Sequence, residues 1–309
     1  MRSKLYILAI SLAGLVIVSI LFVMDSSQKN NLANAEPAFN SSQAYLLPIS
    51  EPSYFPIYDS KIEKPVIDAK AGIVYDTRSG RFLFTKNSRI KLPVASLTKI
   101  LSAIVVLENI DTKEAVVIPK EALKVDEEKQ SLYLGEEITV QNLLKLMLIE
   151  SSNDAAYALA WHVNGKGIGF VDKMNEKARS LSMNDSSFLD PAGLSDDAYS
   201  TSEDLVKLIK YSFKHDLIWR ILTEKSIIVK SIDGKIEHNV ESTDQLLGVI
   251  PDIFGGKTGY TDNALGCMIL VVDIPDKNDK LISVALGSRL RFDDTKKLID
   301  WAKSAHRWD

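Results

Sequence analysis

Thiols are almost absent: Cys267 is the only cysteine in 309 residues. That excludes a disulfide framework and a multi-thiolate zinc site. Histidine is scarce as well. His162, His215, His238 and His306 are scattered, without an H-E-x-x-H or H-x-x-x-H spacing, so neither metal nor cofactor is expected. There is no basic tract, and the formal net charge is -4, which argues against nucleic acid as a partner. No internal repeat is present. With 46% hydrophobic and 25% charged residues, the composition excludes disordered, collagen-like and low-complexity classes. At about 150 residues per domain, the length suggests one large domain or two small ones.

Long apolar runs are equally rare, with one exception. Leu5 to Met24 carries no charge, follows Arg2 and Lys4, and ends at Asp25. Its length as a helix is about 30 Å, the thickness of a hydrocarbon core. The preceding positive charges keep the N-terminus cytoplasmic, so the rest of the chain is expected to cross. A cleaved signal peptide is the alternative. Its apolar region is normally about 7–15 residues long and ends near an A-x-A site, whereas Ala33-Asn34-Ala35 lies well beyond Met24. Either way the body is exported. We therefore expect residues 1–24 to be a membrane anchor or signal, 25–60 an extracytoplasmic linker rich in Ser, Asn, Gln and Pro, and 61–309 the functional domain.

In the body, Gly72-Ile73-Val74-Tyr75 and Arg81-Phe82-Leu83-Phe84 flank Asp76 to Gly80, which spells a β-hairpin. A helix is expected from near Ser96, with Leu97, Ile100, Leu101 and Ile104 at helical spacing, and another capped by Thr139. Further helices are expected over Asp154–Val163, Ile168–Leu181 and Ser202–Lys214. Strand patterns return at Cys267–Val272 and Leu281–Leu286, and Arg291–Ala305 closes as a helix. Strands at both ends with helices between them suggest an α/β fold, one sheet built from both termini with a helical insertion. Cys267 lies in an apolar run, so it is expected to be structural.

Three short motifs carry chemistry. In Ser96-Leu97-Thr98-Lys99 the lysine sits about one turn after the serine on nearly the same face. A serine hydroxyl is a poor nucleophile until a base takes its proton, and a lysine serves if its ammonium is destabilised. Ser26–Lys29 and Ser88–Lys91 share the S-x-x-K spacing, but only Ser96 opens an apolar helix. A capping serine with a surface lysine is the plain alternative. Ser151-Ser152-Asn153 interrupts two apolar helices; the first hydroxyl suits proton relay and the amide suits a substrate carbonyl, unless the break is only a pair of helix caps. Lys257-Thr258-Gly259, within Gly255 to Thr261, offers an ammonium and hydroxyls to an anion on a glycine-dense edge strand. A Walker A spacing is absent, and a plain turn is the alternative.

S-x-x-K, S-x-N and K-T-G in this order form the signature of penicillin-binding proteins and class A β-lactamases. From about Lys64 to Trp301 the sequence resembles the low-molecular-mass D-alanyl-D-alanine carboxypeptidases, serine peptidase family S11. Ala71-Gly72-Ile73-Val74-Tyr75-Asp76, Asp190-Pro191-Ala192-Gly193-Leu194 and Tyr199-Ser200-Thr201 extend the likeness. The resemblance implies a penicillin-binding/β-lactamase-like fold: an antiparallel sheet flanked by helices, a helical lobe, and the active site between them. It implies Ser96 as acylated nucleophile, Lys99 as its base, and Ser151 as relay beside Asn153. It gives Lys257 and Thr258 the substrate carboxylate, and the backbone N–H groups of Ser96 and Tyr260 the oxyanion. Arg291 matches a basic position after the last strand. The implied partners are peptidoglycan stem peptides, β-lactam antibiotics as inhibitors, and a membrane reached through the N-terminal segment. Many relatives carry a β-rich second domain and a C-terminal amphipathic anchor beyond the closing helix; here the N-terminal segment is expected to be the attachment. Ser152 stands where relatives often have glycine or alanine. A D,D-endopeptidase and a penicillin-binding sensor without turnover are the alternatives. A β-lactamase ranks lower, because Glu176 lacks the E-x-x-L-N context.

Overall fold

The computed structural model describes residues 55–308 apart from 126–130, 276 and 278, so the apolar segment Leu5–Met24 lies outside the described residues. Among the described residues no helix is long and apolar enough to cross a membrane.

In chain order, a short strand β1 (Ile57–Tyr58) precedes the expected hairpin, β2 (Ala71–Asp76) and β3 (Arg81–Lys86). A 3₁₀ turn over Ala95–Leu97 leads into α1 (Thr98–Asn109), followed by β4 (Ala115–Val117) and β5 (Glu137–Thr139). Helices α2 (Val140–Ile149), α3 (Asn153–Gly165), α4 (Phe170–Ser180), α5 (Ser202–Ser212) and α6 (Asp216–Leu222) come next. The hairpin β6 (Ser226–Lys230) and β7 (Glu237–Glu241) then leads to the long strands β8 (Ile253–Thr261), β9 (Leu265–Ile274) and β10 (Asp279–Ser288). Helix α7 (Arg291–Ala305) and strand β11 (His306–Arg307) close the chain.

One antiparallel sheet, ordered β3-β2-β10-β9-β8, joins both ends of the body. Its central strands bury every or nearly every residue, which explains their continuous Val, Ile and Leu runs. Strand β3 alternates and is partly exposed at one edge, and β8 is the other edge. One sheet face packs on the helical lobe through Ile73, Cys267, Ile269 and Ile282 against α1 and its neighbours. The opposite face carries Val74, Met268, Leu270 and Leu281 against Leu298, Ile299 and Trp301 of α7. The alternation of in and out along each strand assigns adjacent residues to these two cores.

Helix α1 is the axis of the lobe, with every residue from Thr98 to Val106 buried. Thr139 caps α2 as expected, accepting from the Asn142 backbone N–H at 3.2 Å. The ends of the described chain meet, because Ile57 and Tyr58 pair with Arg307 and His306. Cys267 is fully buried and its thiol is pushed up to about 11 by burial. It packs as a small hydrophobe.

Candidate active site

Ser96 does not cap a helix in the ordinary way. It lies in the 3₁₀ turn before α1, directly after Ala95, whose φ is +48°. Such a left-handed residue costs roughly 1–2 kcal/mol and persists only where its surroundings impose it. Here they do. A Cβ on Gly193 would come within 2.0 Å of the Ala95 carbonyl oxygen, so the 190–195 loop presses on that turn. On the other side, a Cβ on Gly259 would stand 2.9 Å from the Ser96 backbone nitrogen. Strand β8 and the Ser96 turn are therefore in direct backbone contact, and only glycine permits it.

Lys99 is fully buried. Its Nζ lies 2.7 Å from Ser96 Oγ, donates to Asn153 Oδ1 at 2.7 Å and donates to the Ala192 carbonyl at 3.1 Å. As a neutral amine, Lys99 would present a lone pair within reach of the Ser96 hydroxyl.

The break between α2 and α3 combines both readings of its sequence. Ser152 is a true N-cap, accepting from Ala155 N–H at 3.0 Å and donating to Asp154. Glu150 ends α2, and Ser151 between them has φ +66°, a conformation usually left to glycine. This bend brings Ser151 Oγ to within 2.8 Å of Lys257 Nζ. Lys257 also donates to the Thr258 carbonyl at 3.0 Å and is 1% exposed. Its pKa lies well below the ordinary ammonium value, because burial and the charges of Lys99 and Arg291 disfavour a further cation, with Asp244 opposing them.

These groups border an open cleft of about 520 Å³. Ser131, Glu150, Ser152 and Asn153 line it from the lobe, and Thr258, Gly259, Tyr260 and Arg291 from the sheet side, with Ser96 and Ser151 between. Arg291, at the start of α7, has its Nε enclosed without a partner, and burial lowers its pKa. Thr258 Oγ1 is 2.6 Å from the hydroxyl of Thr243, another lining residue. All eight expected site residues meet here. The two lysines do not line the cleft and act from behind it, Lys99 on Ser96 and Lys257 on Ser151. Among the described residues, no group of His, Cys, Asp and Glu is arranged to hold a metal ion.

Sequence reasoning missed several supports. Asp190 gathers the backbone N–H groups of Ala192, Gly193, Leu194 and Ser195, at 2.6–3.1 Å, and so fixes the carbonyl that meets Lys99. Asp-Pro followed by Gly was the available signal, a turn in which a carboxylate captures its own backbone. Thr243 and Glu150 had none, since their meeting with the cleft depends on tertiary packing.

The family model described as D-alanyl-D-alanine carboxypeptidase matches residues 59–289. The chain is 30% identical over 266 residues to the D-alanyl-D-alanine carboxypeptidase DacF of Bacillus subtilis, covering 82% of this chain and 67% of that one. It is 30% identical over 253 residues to a D-alanyl-D-alanine endopeptidase of Escherichia coli, covering 78% and 79% respectively. Among solved structures, a D-alanyl-D-alanine carboxypeptidase of Mycobacterium tuberculosis superposes with a TM-score of 0.72 at 27% identity, over 80% of this chain and 95% of that one. A Streptomyces DD-transpeptidase superposes with the same TM-score at 26% identity, over 79% and 100%.

Proposed function

The chain belongs to the peptidase S11 family of serine-type D-alanyl-D-alanine carboxypeptidases, and from that premise we propose that it removes the terminal D-alanine of peptidoglycan stem peptides through a Ser96 acyl-enzyme. The observation that carries this reading is the 2.7 Å contact between Lys99 Nζ and Ser96 Oγ, made by a fully buried lysine.

In the first step Ser96 Oγ attacks the carbonyl carbon of the D-Ala-D-Ala bond as its proton passes to Lys99. This step requires Lys99 as the neutral amine. Negative charge on the carbonyl oxygen falls to the backbone N–H groups of Ser96 and Tyr260, and donors of this kind are typically worth 10²–10³ in rate. Collapse breaks the C–N bond, and the leaving D-alanine takes a proton through Ser151, which Lys257 holds in place. The Asn153 amide positions the acyl part. Water then attacks the ester and restores Ser96.

The terminal carboxylate is the substrate's fixed negative charge. Thr258 and Arg291 line the cleft and meet it directly, while Lys257 contributes its field and its hold on Ser151. A β-lactam, with a carboxylate next to a strained amide, fits the same arrangement and leaves a stable acyl-enzyme. The body works outside the cytoplasmic membrane, with Leu5–Met24 as anchor or export signal; the apolar length after Arg2 and Lys4 supports this. Because a relative bears the name endopeptidase, cleavage of cross-links by the same chemistry is the second reading. Incubation of the purified protein with an uncrosslinked D-Ala-D-Ala peptide and with a cross-linked dimer tests both. Free D-alanine from the first, lost in Ser96→Ala, is the expected result. Cleavage of the dimer alone would transfer the activity to cross-links, and release unaffected by Ser96→Ala would refute the nucleophile.

A further inference from the structure

Arg291 lines the cleft but is not held there by an ion pair. Its Nε is enclosed without a partner, and among the described residues no carboxylate is paired with its guanidinium. Its place is set by its own stem and by the backbone that carries it. A Cβ on Gly266 of β9 would come within 3.1 Å of both Cβ and Cδ of Arg291, so the stem crosses β9 at a residue without a side chain. The backbone there is a corner of two residues, Arg289 and Leu290, between β10 and α7. The segment before β2 grips that corner. The consecutive backbone N–H groups of Asp68, Ala69 and Lys70 donate to Asp294 Oδ1 at 3.0 Å, Asp294 Oδ2 at 2.8 Å and the Gly287 carbonyl at 3.3 Å. In return Asp68 accepts from the Arg289 backbone N–H at 2.8 Å and from its guanidinium at 2.7 Å. Asp294 also accepts from Ser288 Oγ at 2.6 Å, and that hydroxyl accepts from the Leu290 N–H at 2.8 Å.

Asp294 is fully buried, and the donors it meets at this corner are all neutral. A buried carboxylate without a cation is costly, and each of its bonds here fixes the backbone on one side of Arg291. We propose that Asp294 is a positioning residue: through its clamp with Asp68 it aims Arg291 at the substrate's terminal carboxylate. The proposal rests on the carboxypeptidase reading of the cleft. Asp294 itself touches no substrate. It acts one turn along α7 from the guanidinium it directs.

The test compares kcat/KM for a D-Ala-D-Ala peptide acid and its amide, with penicillin labelling of Ser96 reporting that each protein is folded. The acid-to-amide ratio is the readout, because lost stability alone lowers both rates equally. Asp294→Asn should lower the ratio by about tenfold, chiefly through KM for the acid, the scale of one charged hydrogen bond. Asp68→Ala leaves the buried carboxylate in place and acts at the partly exposed side of the clamp. It should lower the ratio by about threefold, the scale of an ordinary hydrogen bond. Trp308→Phe removes the bond to Asp76, far from this corner, and should leave the ratio unchanged. An unchanged ratio in folded Asp294→Asn overturns the proposal, as does an equal fall in Trp308→Phe. If Asp294→Asn does not fold, an unchanged ratio in Asp68→Ala overturns it instead. A wild type that shows no preference for the acid refutes the carboxylate reading and takes this inference with it; a wild-type preference that survives the variants leaves that reading standing.

Discussion

At the scale of single residues, the site divides three basic side chains among three positions. Lys99 faces Ser96, Lys257 holds Ser151, and Arg291 lines the cleft. The division has kinetic consequences. Arg291→Ala should reduce kcat/KM for a peptide acid by about ten- to a hundred-fold, the loss of one charged hydrogen bond. The matching peptide amide should lose much less, because it has no anion to bind. Lys99→Ala should slow both substrates alike, by about 10²–10⁴, since it removes the base rather than a binding contact. Comparing kcat/KM for acid and amide in both variants checks the assignment; equal losses for the two substrates in Arg291→Ala would contradict the carboxylate role.

At the scale of elements, the position of Ser96 depends on a turn that α1 cannot hold by itself. Gly193 has φ +79°, and a Cβ there would strike both the Ala95 carbonyl and Thr98 Oγ1. Gly193→Ala should therefore displace Ser96 and slow penicillin acylation by about a hundred-fold, the usual effect of misplacing a reacting group by about 1 Å. Stopped-flow acylation measures it, and an unchanged rate in a folded variant would contradict the argument. The other wall of the cleft rests on the buried Glu136–His238 pair, where His238 from β7 meets the segment leading into β5. Contact with Glu136 raises the His238 pKa above its unfolded value, against the opposing effect of burial. The folded state thus binds the proton more tightly. That stabilisation is complete below the unfolded value and disappears as pH rises through the folded one. The melting temperatures of wild type and His238→Asn should differ more at about pH 5.5 than at about pH 9. A difference that is constant or grows with pH would contradict the pair's charge.

The same elements show what the sequence makes legible. Helices and long strands carry their signal within themselves: Arg291–Ala305 and the Thr139 cap occur as expected, and the late strands extend two residues or fewer beyond their apolar runs. The short pairs β4–β5 and β6–β7 were not legible, because three to five residues hold too little periodicity and their partners lie far along the chain. Helix α6, with Ile218, Trp219, Ile221 and Leu222 buried in seven residues, is nearly as short. In the site, motif residues were legible from their order. The left-handed turns at Ala95 and Ser151 were not, since neither alanine nor serine advertises a positive φ.

At the scale of the whole molecule, the sheet closes by joining distant parts of the chain, and the far ends reinforce it. Strand β11 pairs with β1, and the Trp308 indole N–H donates to Asp76 at 2.6 Å, tying the last residues to the first hairpin. His306 packs between Tyr58, Trp301 and Trp308. Ending the chain after Ala305 removes all of these contacts yet touches nothing in the cleft. The truncated protein should melt several degrees lower, at roughly 2–4 °C per kcal/mol lost for a domain of this size, while its rate of penicillin acylation is preserved. Thermal melts and labelling rates check the two halves of this statement; an unchanged melting temperature would mean that the closure at the ends is idle.

The fold, the cleft and the three motifs all lead to one bond between an acyl group and Ser96 Oγ. Peptide mapping by mass spectrometry after incubation with a penicillin examines that bond directly. The account predicts a single covalent adduct on Ser96, absent in Ser96→Ala and formed much more slowly in Lys99→Ala. An adduct on Ser88 or Ser151, or no adduct on protein that still releases D-alanine, would contradict it.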